Sequence, residues 1–225
     1  MNMTKFYAVR QGNHLGVFFT WNDCQKQVKG IPNAEFKIFT DFNEANEWLN
    51  QPSPLTPITQ FDLNSFDILV FTDGGCRNHG NKKGKHVKKF DPAAYAGLIA
   101  YNDQRPNELF RSAKFGATNN QMELRGLITA LEKLIKYKYN NENILCGLDS
   151  KYVLTFVDGK SEPKSNETLV KRLQFLVQQF PNIHFAWVKG HEKKNGYNDG
   201  NILVDHELNL AMDELESQHQ NENDN

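Results

Sequence analysis

Cysteine is scarce and scattered: Cys24, Cys76 and Cys146 are the three in 225 residues, and no two form a CxxC pair. That excludes a disulfide framework and leaves no zinc-site spacing. No apolar run approaches the roughly 18–20 residues of a membrane span, so no membrane partner is expected. The opening "MNMTKFYAVRQG" has neither the apolar core nor the small-residue cleavage site of a signal peptide, and the expected compartment is a reducing cytoplasm. Net charge is nearly absent, with 26 Lys and Arg against 27 Asp and Glu, which excludes a uniformly basic coat for nucleic acid. There is no internal repeat.

The charge that is present is local. From Arg77 to Lys89 the chain carries Arg77, Lys82, Lys83, Lys85, Lys88 and Lys89, with His79, His86 and no acid. From Asp205 onward there are seven acids and no Lys or Arg. A polyanion would therefore be met by a patch.

The stretch "QPSPLTPITQFDLN" (51–64) places three prolines in six residues, and prolines oppose both helix and sheet. It is expected to be an extended linker, reaching at most about 43 Å in polyproline geometry. It divides a small segment, 1–50, from a larger one, 65–217. Residues 218–225, within "SQHQNENDN", are expected to be a disordered tail. In the small segment "KFYAVRQG" turns near Gly12 and returns as "LGVFFTW", a hairpin pattern. A short helix after Trp21 and a strand "EFKIF" follow. In "DFNEANEWL", Asp41 and Glu44 are spaced as a capping box. So small a segment buries little surface.

In the larger segment "FDILVF" is a continuous apolar run, as in a strand covered on both faces. "AAYAGLIAY" and "NELFRSAKF" are the next strands. Leu124, Leu127, Ile128, Leu131, Leu134 and Ile135 then form a helical stripe. "NILCGL" and "IHFAWV" are further strands, with helices expected at 150–157, 167–179 and 201–216. Three strands in a meander, then alternating helix and strand, predict a mixed α/β sheet with helices on its faces.

Two of these strands end in an aspartate: "LVFTDGG" in Asp73 and "NILCGLDS" in Asp149. Ligands of open α/β sheets gather beyond the carboxyl ends of strands. Glu123 falls in the first turn of the long helix, near its apolar side, and Asp205 shares a face with Leu208 and Met212 of the last helix. Singly, each has an ordinary explanation: Glu123 in a capping box with Asn120, Asp73 in a turn, Asp149-Ser150 as a cap, Asp205 at a helix N-terminus. Together, clustered carboxylates repel unless cations neutralise them, and oxygen donors suit Mg²⁺ or Mn²⁺.

In order, "FTDGG", "TNNQMELRGLITAL", "LDSKYV" and "VKGHEKKNGYNDGNILVDHELN" resemble type 1 ribonuclease H over residues 66–216. The resemblance implies a five-stranded mixed sheet with helices on both faces. It implies a site for two Mg²⁺ ions, with Mn²⁺ as a substitute, built by Asp73, Glu123, Asp149 and Asp205. It implies hydrolysis of the RNA strand of an RNA–DNA hybrid to 5′-phosphate and 3′-hydroxyl ends. His191 matches the family's mobile catalytic histidine, and Asn201 a supporting polar position. Gly74, Gly75, Asn119, Asn120, Thr118 and Lys151 match substrate-binding positions; the glycines let backbone approach the hybrid. The 2′-hydroxyl is what tells RNA from DNA.

The small segment, "KFYAVRQGNHLGVFFTWNDCQKQV…EFKIFTDFNEANEWL", resembles the hybrid-binding (caulimovirus viroplasmin-like) domain found ahead of many ribonucleases H, a small α+β three-stranded unit. By that resemblance Tyr7, Trp21 and Phe36 lie against deoxyribose and Lys37 on phosphate. The expected partner is an RNA–DNA hybrid, with no obligatory protein partner and a monomeric chain. This sequence departs from the family at several points. "GNKKGKHVKKFDP" replaces a short turn, Lys151 a usual glutamine, Gly116 an arginine two before Thr118, and Ile38 a second lysine. The basic handle helix of some members is missing. The competing readings are a catalytically weak hybrid-binding protein and a recombinase or integrase of the same sheet type. The intact acids and His191 oppose the first, and "DSKYV" and the small segment oppose the second.

Overall fold

The structure, a computed structural model, describes residues 4–32, 34–50, 53–77, 87–159, 161–190 and 198–223. The chain divides into two units, Met1–Ser53 and Pro54–Asn225.

In the first unit the hairpin pattern forms β1 (Phe6–Gln11) and β2 (Gly16–Phe18), followed by α1 (Trp21–Val28), β3 (Glu35–Phe39) and α2 (Phe42–Asn50). The sheet is antiparallel in the order β2-β1-β3. Thr20 caps α1 by accepting from the Asp23 N–H, and Asp41 Oδ1 accepts from the Asn43 and Glu44 N–H groups (2.8 and 3.0 Å) to start α2. Side chains alternate across a strand, so the pairs Tyr7↔Ile38 and Val9↔Phe36 share one face, and Phe6↔Phe39 and Ala8↔Lys37 the other. The second face carries the core of Ala8, Phe39, Ala45 and Trp48 under α2.

The second unit is a five-stranded sheet in the order β6-β5-β4-β7-β8. β4 (Ile68–Cys76), β5 (Pro92–Tyr101) and β6 (Glu108–Phe115) form an antiparallel meander. β7 (Ile144–Leu148) and β8 (Ile183–Trp187) add in parallel on the other side of β4. α3 (Asn119–Lys136), α4 (Lys151–Leu154), α5 (Glu167–Val177) and α6 (Asp199–Asn223) complete it. On β4, Ile68 and Val70 join the α3 and α5 side, while Phe71 joins α6 residues Val204, Leu208 and Met212 on the opposite face. The predicted α3 stripe is buried, with Leu124, Leu127, Leu131 and Leu134 each at 0% exposure. Each such side chain contributes roughly 1.5–3 kcal/mol.

Three expectations are corrected. Residues 54–64 are not a linker: Thr56 accepts from the Trp187 N–H (2.8 Å), and two 3₁₀ turns, Ile58–Gln60 and Leu63–Ser65, lead into β4. Ile58, 2% exposed, is buried in the α6-side core, so the prolines border a packed strap. Nor does the C-terminus fray at 218, because α6 runs to Asn223 and His219 packs between Phe90 and Phe115. The helix expected at 150–157 is regular only over Lys151–Leu154 before it loosens into turns.

Candidate active site

The alternation that buries Phe71 against α6 also points Asp73, two residues on, to that side of β4. β4 pairs with β7 only from Ile68 to Phe71, so the strand leaves its parallel neighbour just before Asp73. Asp149 follows the end of β7 immediately. Glu123 stands one turn inside α3, and Asp205 in the second turn of α6.

Close packing holds these elements together. A Cβ on Gly74 would fall 2.1 Å from the Glu123 backbone nitrogen, and one on Gly75 would fall 2.9 Å from Leu208. The missing side chains of the two glycines let α3 and α6 press on β4. Gly147 and Gly200 do the same for Phe71, whose ring would lie 2.8 and 2.3 Å from a Cβ at each. The sequence reading missed this pair, although a glycine inside a strand run signals close approach. Gly74→Ala should therefore lower stability by about 1–3 kcal/mol, an overpacking cost, and Tm by roughly 2–10 °C. A thermal melt matching the parent would contradict that packing role.

The ordinary explanations for the acids can be tested on this geometry. The α3 capping box is Thr118 with Gln121: Thr118 Oγ1 accepts from the Gln121 N–H and Gln121 Oε1 from the Thr118 N–H. Glu123 therefore has no part in it. Ser150, not Asp149, caps α4, and Asp205 lies inside α6 rather than at its start. Thr118 meanwhile is committed as a cap.

Glu123 accepts from the Ser150 hydroxyl and from Asn119 Nδ2 (3.3 Å), and Asn119 Oδ1 accepts from the Cys76 N–H (2.9 Å). Asn119 thus ties α3 to the β4 edge beyond Asp73. Trp187 Nε1 donates to the Asp149 carbonyl (3.3 Å), and Lys151 Nζ lies 4.7 Å from the Trp187 ring centre. Asn209 Nδ2 donates to the Asp205 carbonyl (2.8 Å). Asn120 sits half-buried in the first turn of α3. Asn201, one turn before Asp205, is 4% exposed, and its Oδ1 has no hydrogen-bond partner among the described residues. His191 lies outside the described residues. The backbone just before it passes Asp149, since a Cβ on Gly190 would be 3.2 Å from Asp149 Oδ2.

Burial first, and then the Asp149 charge, push the Asp73 carboxyl up to about 8, with the Gly74 N–H opposing (2.6 Å) and Asp205 and Glu123 adding to the rise. Burial likewise pushes Glu123 up to about 7, with the Ser150 hydroxyl opposing, Asp149 raising and Asn119 opposing. All four acids therefore belong to one electrostatic cluster. Among the described residues no three His, Cys, Asp or Glu side chains form a ready-made ion cage. That suits a cation such as Mg²⁺, which keeps several waters and binds through one or two carboxylates plus substrate phosphate. Half-buried, mutually repelling carboxylates are a donor set that fits hard cations.

In the small unit the structure brings three of the four expected residues together. Tyr7, Trp21 and Phe36 form a chain of rings, with centroids 5.8 and 5.4 Å apart, and Trp21 and Phe36 are exposed. Lys37 is not among them. Strand alternation places it on the α2 face, where its ammonium lies 5.8 Å from the Phe39 ring centre. A second, unpredicted ring cluster of Phe6, Phe19 and Phe42 has Phe19 65% and Phe42 40% exposed.

Comparison with known proteins agrees with this architecture. Residues 66–213 match the family described as RNase H, and residues 5–49 the Ribonuclease H1 N-terminal domain. A Ribonuclease H of Ruthia magnifica is 32% identical over 161 residues, spanning 66% of this chain and 97% of that protein. A Ribonuclease H of Saccharomyces cerevisiae is 44% identical over 48 residues, 21% of this chain but only 14% of its own length. Among solved structures, the N-terminal RNase H domain of a Mycobacterium tuberculosis protein superposes with a TM-score of 0.53 at 27% identity. That match covers 68% of this chain and 99% of that one.

Proposed function

The chain belongs to the ribonuclease H family and is a ribonuclease H enzyme, and from that premise we propose that it cuts the RNA strand of RNA–DNA hybrids with two divalent cations. The observation that carries the proposal is the company Asp73 keeps: a half-buried carboxyl inside β4, just past the last residue that pairs with β7, raised to about 8 by burial and three acidic neighbours. Such a group is tolerable in its charged form when cations share the site. Asp73, Glu123, Asp149 and Asp205 would hold Mg²⁺ or Mn²⁺. Two cations there supply a more acidic water and charge neutralisation on the phosphate under attack.

The chain's own residues do the positioning. Asn119 and Ser150 orient the Glu123 carboxylate, and the Trp187 indole holds the Asp149 peptide. Past Phe71 the β4 edge has no β7 partner, and backbone there would read a 2′-hydroxyl together with Asn119 and Asn120. Water enters at phosphorus and the bond to the 3′ oxygen breaks, leaving a 5′-phosphate and a 3′-hydroxyl. Tyr7, Trp21 and Phe36 offer an apolar platform for the deoxyribose of the hybrid's DNA strand.

The expected result is strand-selective. With Mg²⁺, an end-labelled hybrid should lose only its RNA strand, while duplex DNA and duplex RNA stay whole. Cleavage of the DNA strand, or of duplex RNA at a similar rate, would sink the assignment. With the RNA labelled at its 3′ end, phosphatase treatment should shift the mobility of the labelled fragments by the loss of a 5′-phosphate, which checks the product ends.

A further inference from the structure

The chain departs most from its relatives just after Asp73, and both described ends of that insertion rest on one helix. On the outgoing side Arg77 pairs with Asp213 and with Glu216 (2.8 Å), and its Nη2 donates to the Asn209 carbonyl (3.2 Å). On the returning side Phe90 stacks on His219, with ring centres 5.3 Å apart and planes at 17°, and His219 also meets Phe115 at 5.1 Å. Residues 209, 213, 216 and 219 recur at helical spacing on one face of α6. The seat thus runs from the body of α6 to His219, which falls in the stretch expected to be a loose tail.

That seating fixes Lys89. A Cβ on Gly116 would meet the Lys89 carbonyl at 3.2 Å and its Cα at 3.7 Å, and the Gly116 N–H donates to the Asp91 carbonyl (2.9 Å). Gly116 has φ 72°, a left-handed conformation that disfavours a side chain there. Asp91 is 3% exposed, and its carboxylate accepts from the Lys88 N–H (2.8 Å). Lys89 itself is exposed, with its ammonium 5.1 Å from the Phe90 ring centre. Among the described residues it meets no carboxylate, whereas Arg77, Arg105 and Arg111 each have two. The local acids hold the scaffold, and among the described residues none of them pairs with Lys89.

Its place relative to the acids follows from the sheet. Cys76 pairs with Ala93 and Pro92 with Phe115, so the ends of β4, β5 and β6 lie in one row, three residues along β4 from Asp73. With strands about 4.8 Å apart and a rise of about 3.4 Å per residue, Lys89 is roughly 15–20 Å from Asp73. A strand climbs about 3.4 Å per nucleotide, so that is several phosphates from the cut.

We propose that Lys89 is a backbone-phosphate contact for the hybrid, set over Gly116 by Phe90 and His219, which act as positioning residues. It supplies a cation where the sequence has glycine in place of the arginine its relatives lead one to expect. The inference rests on the hybrid being the substrate.

The full chain serves for the test, with Lys89→Ser, Lys89→Arg, His219→Ala and the Lys89→Ser/His219→Ala double variant. Binding of a fluorescent hybrid is followed against salt in EDTA, and kcat and KM are measured with Mg²⁺. Lys89→Ser should flatten the log–log salt slope by about 0.9 and raise KM several-fold, with the effect on KM rather than kcat. Lys89→Arg should restore both. His219→Ala should raise KM similarly and add nothing in the double variant, because both changes remove one contact. An unchanged slope in Lys89→Ser, with hybrid still bound and cut, overturns the contact. Additive KM effects overturn the positioning role of His219. Failure of the parent chain to bind or cut hybrid instead overturns the functional reading beneath it.

Discussion

Replacing Asp73 with Asn should abolish hybrid cleavage while making the cation-free protein more stable at neutral pH. The activity side follows from charge. Asn keeps the shape and still accepts from the Gly74 N–H, but it removes one negative charge from the cluster that would hold the cations. Electrostatic stabilisation by bound metal is worth several kcal/mol, and each 1.4 kcal/mol is tenfold in rate, so turnover should fall about 10³-fold or more. The stability side follows from burial. Asp73 is raised to about 8 first by desolvation and then by Asp149, so ionising it in the fold is uphill. Asn removes that penalty and leaves the packing of Gly74 on α3 untouched. The measurement is single-turnover cleavage with Mg²⁺ beside a thermal melt in EDTA at pH 7.5. Near-normal turnover would remove Asp73 from the metal site. A dead enzyme that melts below the parent would make Asp73 structural.

Much of this site was legible in the sequence because its acids stand where apolar runs stop or near helix starts, where hydrophobic periodicity is easiest to read. The apolar run stopping at Asp149 locates a true strand end, whereas the one stopping at Asp73 marks where β4 leaves β7, because β4 itself continues to Cys76 on β5. Glu123 was harder, since a residue in the first turn of a helix is as well explained by capping. The Thr118–Gln121 box removes that explanation, and only coordinates reveal which pair closes. Which face Lys37 takes was hidden for a related reason: adjacent residues of a strand face opposite sides, so Lys37 stands across the sheet from Phe36.

What the sequence hid is packing between segments distant along the chain. Proline-rich 54–57 reads as a spacer, yet Thr56 completes a hydrogen bond to β8 and Ile58 fills a gap beside Phe71 and Val188. Polar "SQHQNENDN" reads as a tail, yet α6 carries on because Arg77, Phe90 and Phe115 supply partners for its last turns. In each case local composition gives the intrinsic preference and a long-range contact overrides it.

Stripped of divalent cation, the protein should lose stability steadily as pH rises from about 4 to about 8. In the unfolded chain Asp73 and Glu123 titrate near 3.8 and 4.5; in the fold they are raised to about 8 and about 7. Between those values the native state holds protons that the unfolded state has released, and stability then falls with pH. Below pH 4 both states are protonated and the two carboxyls contribute no slope; above pH 8 the loss is complete. Its size is on the order of a few kcal/mol, set by raised carboxyls that share one cluster. Mg²⁺ should reverse the trend, because a ligand that binds only the folded state stabilises it by mass action, and these ligands bind metal once deprotonated. Chemical denaturation in EDTA and in Mg²⁺ across pH 4–9 reads both curves. They should meet at the acid end and separate with rising pH, and Asp73→Asn should flatten the EDTA curve. Parallel curves across the whole range would mean that the carboxylates do not share a cation, however closely the fold gathers them.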